Sequence, residues 1–227
     1  MSIAGQLQII RGQIAESARK SGRNADEISL VAVSKTVAVD KIRAAVAAGQ
    51  RIFGENYLQE AEEKYRQLSS VAEFHCIGPI QSNKAKIAAT IFSMVETIDR
   101  EKIARELNKH RQATGRPLPV LVQVNVGGEE QKSGAKPEDG EGLLRIIQEL
   151  PWLRAAGLMT IPPYSPHPED SRPFFRALRQ LAQELAAKNL FAGPRVELSM
   201  GMSGDFTVAI EEGTTIVRVG TAIFGER

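Results

Sequence analysis

The sequence of 227 residues is poor in several features, and each shortage excludes a class of protein. It has a single cysteine, Cys76, so a disulfide within the chain is impossible and a reducing compartment is favoured. No stretch approaches the about 18 uninterrupted apolar residues of a membrane span. The N-terminus also lacks the apolar stretch of a signal peptide, and we therefore expect a cytoplasmic protein.

Aromatic residues make up only 5% of the chain, and 29 lysines and arginines nearly balance 27 aspartates and glutamates. The net charge of +2 provides no strong field for nucleic acid or an anionic membrane, and the basic residues do not cluster. The histidines, His75, His110 and His167, lie far apart and form no ligand pattern with the cysteine. We therefore expect no nucleic acid, no membrane and no metal as partners.

The remaining composition, 42% hydrophobic and 25% charged, is typical of a globular protein. A chain of this length buries a sizeable core without disulfides. The length permits one large domain or two small ones, but no linker or low-complexity tract divides the chain. We expect one domain over residues 1–227.

Short apolar runs alternate along the chain with segments whose apolar residues recur at helical spacing. The runs, each predicted to be a strand, are 28–34, 51–54, 74–77, 94–98, 120–124, 155–159, 196–199 and 216–219. The predicted helices between them are 39–48, 57–68, 83–90, 100–114, 141–149, 173–188 and 206–211, and an amphipathic helix containing Ile3, Leu7, Ile10 and Ile14 precedes them. Strands separated by helices pair in parallel through right-handed crossovers. The pattern predicts a (β/α)8 TIM barrel with an extra N-terminal helix; the alternative is an open doubly wound sheet.

Lys35 is unusual because it directly follows the apolar run 28–34. Burial would strip water from its ammonium, lower its pKa and free a nucleophilic amine, as a Schiff-base lysine requires. The alternative is a lysine that snorkels at a strand end, and the local sequence alone favours that alternative.

The loops after the seventh and eighth runs point to a phosphate site. In a barrel the active site lies at the carboxyl ends of the strands, and phosphate often binds after the last two. Gly201, Ser203 and Gly204 follow the seventh run, and Gly220 with Thr221 follows the eighth. Together they offer close backbone approach, N–H groups and hydroxyls to an anion. The alternative is two ordinary turns, with Ser203 as a helix N-cap.

Arg218 lies in the middle of the last apolar run, between Val217 and Val219. A buried arginine needs a partner. The sequence leaves open a structural salt bridge or a donor that points into the site. Common nucleotide and hydrolase motifs are lacking: there is no strand-linked G-x-G-x-x-G, no G-x-S-x-G, and Gln131 stands where a phosphate loop at 127–133 needs glycine.

Six segments together resemble the YggS/PROSC family of pyridoxal 5'-phosphate homeostasis proteins, over nearly the whole chain. The matching segments are AVSKT at 32–36, FGENY at 53–57, HCIGPIQSNK at 75–84, GLMTI at 157–161, LSMGMSGDF at 198–206 and VRVGTAIFG at 217–225. Members of this family resemble the N-terminal barrel of alanine racemase. The departures are Gly204, where the family commonly has an acid, and Pro79 with Ile80 in a variable loop; only a role for Asp205 is weakened by them.

The resemblance implies a role for individual residues. Lys35 would form the internal aldimine with pyridoxal 5'-phosphate, and Arg218 would face the pyridine nitrogen. Asn56 and His75 would line the ring pocket, with Met200 nearby. The phosphate would be held by Ser199, Gly201, Met202, Ser203, Gly220 and Thr221.

Arg218 also bears on whether the chain is an enzyme. A guanidinium only donates, so a ring nitrogen opposite it must be unprotonated and is a weak electron sink. In the related racemase the second base is a tyrosine of the partner subunit near a C-terminal domain, whereas this chain ends at Arg227. Of its tyrosines, only Tyr164 follows a strand where it would reach the site.

We therefore expect a cofactor-binding protein with no catalytic residues, which buffers or delivers pyridoxal 5'-phosphate through a reversible aldimine. Its partners would be the cofactor and apo forms of enzymes that receive it, and we expect a monomer. The alternatives are an amino-acid racemase and a barrel enzyme that binds another phosphorylated compound.

Overall fold

The computed structural model describes residues 1–129 and 131–225. Eight parallel strands pair in chain order, and the last pairs with the first, so the sheet closes into a barrel. The strands are β1 (Ser29–Val33), β2 (Ile52–Glu55), β3 (Glu73–Cys76), β4 (Met94–Ile98), β5 (Leu118–Gln123), β6 (Leu153–Met159), β7 (Glu197–Ser199) and β8 (Ile216–Val219). The predicted (β/α)8 barrel is confirmed, and the open sheet is excluded.

A helix lies between each pair of successive strands, as the alternating pattern predicted. The helices are α1 (Ile3–Lys20), α2 (Val39–Ala47), α3 (Leu58–Leu68), α4 (Ala85–Ile91), α5 (Glu101–Arg111), α6 (Gly140–Gln148), α7 (Arg172–Ala187), α8 (Phe206–Glu211) and α9 (Thr221–Phe224). The predicted bounds of β4, β8 and α8 match the observed ones. Helix α9 was not predicted, because four residues are too few to show helical periodicity.

The apolar side chains form two clusters. The larger cluster fills the layer between the barrel and its helices. A small separate cluster lies inside the barrel and is formed by Val31, Leu121, Ala156, Met159 and Ile216. Because side chains alternate between the two faces of a strand, Val31 and Ile216 identify which residues of β1 and β8 point inward.

Helix α1 packs on the outside of the barrel, against α8, α9 and α2. Its buried face includes Leu7, Ile10, Ile14 and Ala18, which confirms the predicted amphipathic helix. Since α9 has only four residues, α1 covers the place where a full eighth helix would lie.

Three residues, Glu130, Glu226 and Arg227, lie outside the described part of the chain, so the predicted domain 1–227 is described only through Gly225. No helix within the described ranges has both the length and the apolar character to cross a bilayer.

Candidate functional site

A cavity of about 410 Å³ opens at the carboxyl ends of the strands. It is lined by Val33, Lys35, Asn56, Ile77, Ile161, Pro163, Tyr164, Ser165, Met202, Ser203, Gly204, Asp205, Arg218, Gly220 and Thr221. These residues come from the ends of several strands, which is where a barrel places its active site. The cavity therefore brings together the strand-end residues singled out in the sequence.

Lys35 lies in the turn just beyond β1 and lines this cavity. Val31 belongs to the cluster inside the barrel, and Val33 lines the cavity two residues later. Lys35 follows two residues after Val33 and lines the same cavity. Its side chain is half-buried in the cavity wall. This position differs from that of a lysine snorkelling on the outer surface.

Asn56 directly follows β2 and also lines the cavity. Its amide oxygen Oδ1 is buried, and within the described part of the chain this oxygen accepts no hydrogen bond. A buried acceptor without a partner costs about 1–3 kcal/mol. A ligand that donates to this oxygen would recover that free energy.

Arg218 points inward from β8, two residues after Ile216 of the inner cluster. Its Nη1 donates to Ser199 Oγ at 2.5 Å, and its Nη2 donates to the carbonyl oxygen of Thr160 at 2.8 Å. Nη1 also lies 4.0 Å from Oε2 of Glu96. Arg218 therefore has the carboxylate partner that the structural interpretation requires, and it also lines the cavity. Its role as a donor to a ligand stays a prediction.

Glu96 stands at the centre of a buried polar chain inside the barrel. Its Oε1 lies 2.7 Å from Nδ1 of His75, and its Oε2 accepts from Ser199 Oγ at 2.5 Å. Burial alone would raise the pKa of Glu96. The hydrogen bond and charge of His75, with the charge of Arg218, outweigh burial and hold that pKa below its ordinary range.

Burial acts in the opposite direction on Arg218. It lowers the pKa of the guanidinium, while the charges of Glu96 and Asp205 oppose this shift. An arginine starts from so high a pKa that it remains charged at neutral pH. The cavity floor therefore presents a fixed cation that only donates hydrogen bonds.

The two loops predicted to hold phosphate meet at Ser203. Its Oγ accepts from the backbone N–H of Gly220 at 3.3 Å and from Thr221 Oγ1 at 3.2 Å. Asp205 holds the first loop, because Oδ1 accepts from the N–H of Met202 at 2.7 Å and Oδ2 from Ser171 Oγ at 2.9 Å. Hydroxyl and N–H donors thus gather at one end of the cavity, as an anion requires.

The predicted N-cap role of Ser203 is wrong, because Asp205 occupies the position before α8. Close approach of Gly201 to an anion stays a prediction, but the structure shows a packing role for this residue. Its φ is +92°, and an added Cβ would lie 2.6 Å from the Cβ of Ala209 and 2.9 Å from the Cα of Phe206. Glycine is required there because α8 packs directly on this turn.

Four predicted site residues are not brought to the cavity wall. Among the residues that the structure describes, the lining does not include His75, Ser199, Met200 or Gly201. His75 and Ser199 belong to the buried chain around Glu96, and Met200 lies in the apolar layer outside the barrel. Their contact with a cofactor stays a prediction, and the geometry assigns them to the layer that supports the wall.

Glu96 was not among the residues predicted from the sequence, although the sequence carries a signal for it. Glu96 interrupts the apolar run of β4 just as Arg218 interrupts that of β8. Two side chains of opposite charge, each in the middle of an apolar strand of the barrel, predict a buried ion pair. No group of three metal-ligating side chains occurs within residues 1–129 and 131–225.

Comparison with known proteins gives a consistent result. Residues 9–227 match the family described as "Alanine racemase, N-terminal domain". A pyridoxal phosphate homeostasis protein of Vibrio cholerae is 47% identical over 232 residues, which cover 100% of this chain and 97% of that protein.

Solved structures agree with this match. The structure of PipY from Synechococcus elongatus PCC7942, with PLP bound, is 34% identical, with a TM-score of 0.85 over 99% of this chain and 100% of that chain. An alanine racemase of Clostridium difficile, at 14% identity, shares the fold with a TM-score of 0.74 over 98% of this chain and 57% of that chain. The chain therefore belongs to the family of pyridoxal phosphate homeostasis proteins, which is built on the barrel of the alanine racemase N-terminal domain.

Proposed function

We propose that this chain binds pyridoxal 5'-phosphate in the described cavity and serves to buffer or deliver it. The relative from Vibrio cholerae is named for pyridoxal phosphate homeostasis, and PipY was solved with PLP bound. The observation that carries the proposal is that Lys35, Arg218 and the Ser203–Thr221 contact line one cavity. Residues 1–227 are proposed to act as a single cofactor-binding domain.

The residues of the cavity fit each part of the cofactor. Val33, Ile77 and Ile161 provide apolar walls for an aromatic ring. Ser203, with the donors that meet it, suits the phosphate. The amine of Lys35 suits the aldehyde, because nucleophilic addition with loss of water gives a bond that water reverses. Bound in this way, the cofactor supplies an electrophilic carbon held at Lys35.

Arg218 supports a carrier rather than an enzyme. The guanidinium faces the cavity as a donor, and a ring nitrogen beside it would accept and stay unprotonated. An unprotonated ring stabilises a carbanion poorly, so turnover of amino acids would be slow. We therefore infer that the chain has no catalytic residues. We further propose that it acts as a monomer in the cytoplasm and passes the cofactor to apo forms of enzymes that use it.

The central test is the absorbance spectrum of the protein incubated with pyridoxal 5'-phosphate. We expect the wild type to show the yellow absorbance of a lysine-bound cofactor and to lose it on borohydride reduction, and Lys35→Ala to lack it. Lys41→Ala is the matched control, because Lys41 is exposed on α2 and should leave the spectrum unchanged. If Lys35→Ala shows the same spectrum as the wild type, the assignment is wrong.

The alternative function is an amino-acid racemase, and one observation favours testing it. Tyr164 lines the cavity and is 91% exposed, so it is placed to reach a ligand as a second base. Incubation with single L-amino acids should yield no D-isomer above the rate with free cofactor. Formation of D-isomer that is lost in both Lys35→Ala and Tyr164→Phe would establish the racemase instead.

A further inference from the structure

Behind Lys35 lies a group of charged residues that the proposed function does not use. Glu55 ends β2, while Glu60 and Lys64 belong to α3, and we call these residues the ion triad. The side chain of Glu55 is fully buried, that of Lys64 is 4% exposed and that of Glu60 is 26% exposed. Charged side chains are rarely buried to this extent unless they form ion pairs and hydrogen bonds.

The ammonium of Lys64 uses all three of its donors inside this group. Its Nζ donates to Oε1 of Glu55 and to Oε1 of Glu60, each at 2.7 Å. The third donor goes to the backbone carbonyl of Ser34 at 2.6 Å. Since an ammonium has three N–H groups, the geometry of Lys64 leaves none unused.

The ion triad holds both peptide groups that flank Lys35. The carbonyl of the preceding peptide belongs to Ser34 and accepts from Lys64. The N–H of the following peptide belongs to Thr36 and donates to Oε1 of Glu60 at 2.7 Å. The hydroxyl of Ser34 also donates to Oε1 of Glu55 at 2.6 Å. The backbone is therefore tied to Lys64 before the Lys35 Cα and to Glu60 after it, while Glu55 holds the Ser34 side chain.

Thr36 shows that these ties restrain the backbone. Its φ is +60°, in the left-handed region that a β-branched residue rarely adopts. Such a conformation persists only where the surroundings hold it, and it occurs preferentially at functional sites. The hydrogen bond from the Thr36 N–H to Glu60 is one such restraint.

We propose that the ion triad Glu55–Lys64–Glu60 is a positioning device for Lys35, which holds its amine where the covalent bond to the cofactor forms. This inference rests on the proposed function, because it concerns the bond made at Lys35. None of the three residues lines the cavity within the described part of the chain, so they act through the backbone and not on the cofactor. Burial raises the pKa of Glu55, against the opposing influence of Lys64, which suits Gln as its neutral replacement.

The experiment separates covalent attachment from simple binding in the full-length protein. Pyridoxal 5'-phosphate reports attachment through the rate at which its lysine-bound absorbance appears. Pyridoxine 5'-phosphate, which has an alcohol in place of the aldehyde, reports binding alone. The main variant is Glu60→Ala, because partly exposed Glu60 is the member whose loss the fold tolerates best. The control is Glu62→Ala, which removes an exposed pair with Arg66 on the same helix.

Since a misplacement of about 1 Å can slow a reaction about 100-fold, we expect Glu60→Ala to slow attachment at least about tenfold. Its affinity for pyridoxine 5'-phosphate should equal that of the wild type, and Glu62→Ala should match the wild type in both measurements. Glu60→Gln retains an oxygen that accepts from the Thr36 N–H and should recover part of the rate. The double variant Glu55→Gln/Lys64→Met removes the buried charges together and should also slow attachment.

The possible failures are distinguishable. If the wild type forms no bond at Lys35, the proposed function is wrong. If the wild type forms it and Glu60→Ala forms it equally fast, only the positioning inference is wrong. An equal loss of attachment and of pyridoxine 5'-phosphate affinity would assign the ion triad a purely structural role and would also overturn the inference.

Discussion

Single charged residues inside the barrel organise the candidate site. Arg218 provides the donor at the cavity, and Glu96 holds it through Ser199 from a strand on the other side of the barrel. A buried arginine without a carboxylate would be an uncompensated charge. The buried chain of hydrogen bonds around Glu96 is therefore required to compensate the charge of Arg218 inside the barrel. Its contribution to the free energy of unfolding can be measured.

Glu96→Gln tests this requirement directly. The substitution leaves the buried Arg218 without its carboxylate and turns an amide donor towards His75 or Ser199. We expect the free energy of unfolding, measured in urea, to fall by about 3–5 kcal/mol. Glu101→Gln is the control, because it removes only an exposed pair with Arg105 and should change stability little.

The difference in unfolding free energy between the wild type and Glu96→Gln should depend on pH, and the pKa shift of Glu96 sets the direction of that dependence. The pKa of Glu96 is lowered from its ordinary value of 4.5 in the folded protein. Its carboxylate therefore contributes stability above about pH 4.5, and the contribution disappears as the pH falls through the lowered pKa. The stability difference between wild type and Glu96→Gln should shrink below that pH. A difference that is absent at neutral pH would contradict the assigned role.

At the scale of elements, the junction between the last and the first strand is covered by the N-terminal helix and not by the helix that follows β8. Helix α9 is too short to cover the junction of β8 and β1, and α1 packs there instead. The apolar face of α1 is therefore part of the barrel's outer core and not an appendage. The sequence predicted the helix from its spacing, but it did not predict what the helix covers.

Two adjacent isoleucines in α1 provide a matched test. Ile10 is 3% exposed and Ile9 is 44% exposed. We expect Ile10→Ala to lower the free energy of unfolding by about 2–5 kcal/mol, because it leaves a cavity in the core. Ile9→Ala should change it by less than about 0.5 kcal/mol, as is usual at the surface. Equal effects of the two substitutions in urea unfolding would show that α1 does not pack as described.

At the scale of the whole molecule, few large apolar side chains are exposed in the described ranges. They are Met1, Ile9, Tyr57, Val71 and Tyr164. An obligate dimer interface would need a large contiguous apolar patch. Tyr57 and Tyr164 instead line cavities at the carboxyl ends of the strands. The monomer stays a proposal, which a measurement of mass in solution tests.

Sedimentation equilibrium tests this expectation. We expect the mass of one chain at micromolar concentrations, with and without pyridoxal 5'-phosphate. A mass that doubles with concentration would contradict it. A mass that doubles only when the cofactor is present would connect assembly to the cavity mouth, where Tyr164 lies.

The sequence by itself determined the order of elements. Apolar patterning is a local property, so short apolar runs predict strands and 3.6-residue spacing predicts helices without knowledge of their neighbours. Eight alternating units then leave few topologies, and the barrel follows. Lys35 and Arg218 stood out for the same local reason, because a charge beside or within an apolar run is visible in one segment. Their assignment to the site came from the family resemblance and not from that local signal.

Only the tertiary structure decided which polar residues meet. Ser199 and Glu96 are 103 positions apart, and Arg218 and Thr160 are 58 apart, so no local pattern connects them. Their contact depends on the register of strands around the closed barrel, which sets the depth of each inward side chain. The same register places Lys35 on the cavity wall and His75 beneath it, and the packing of α8 against the turn after β7 requires glycine at position 201.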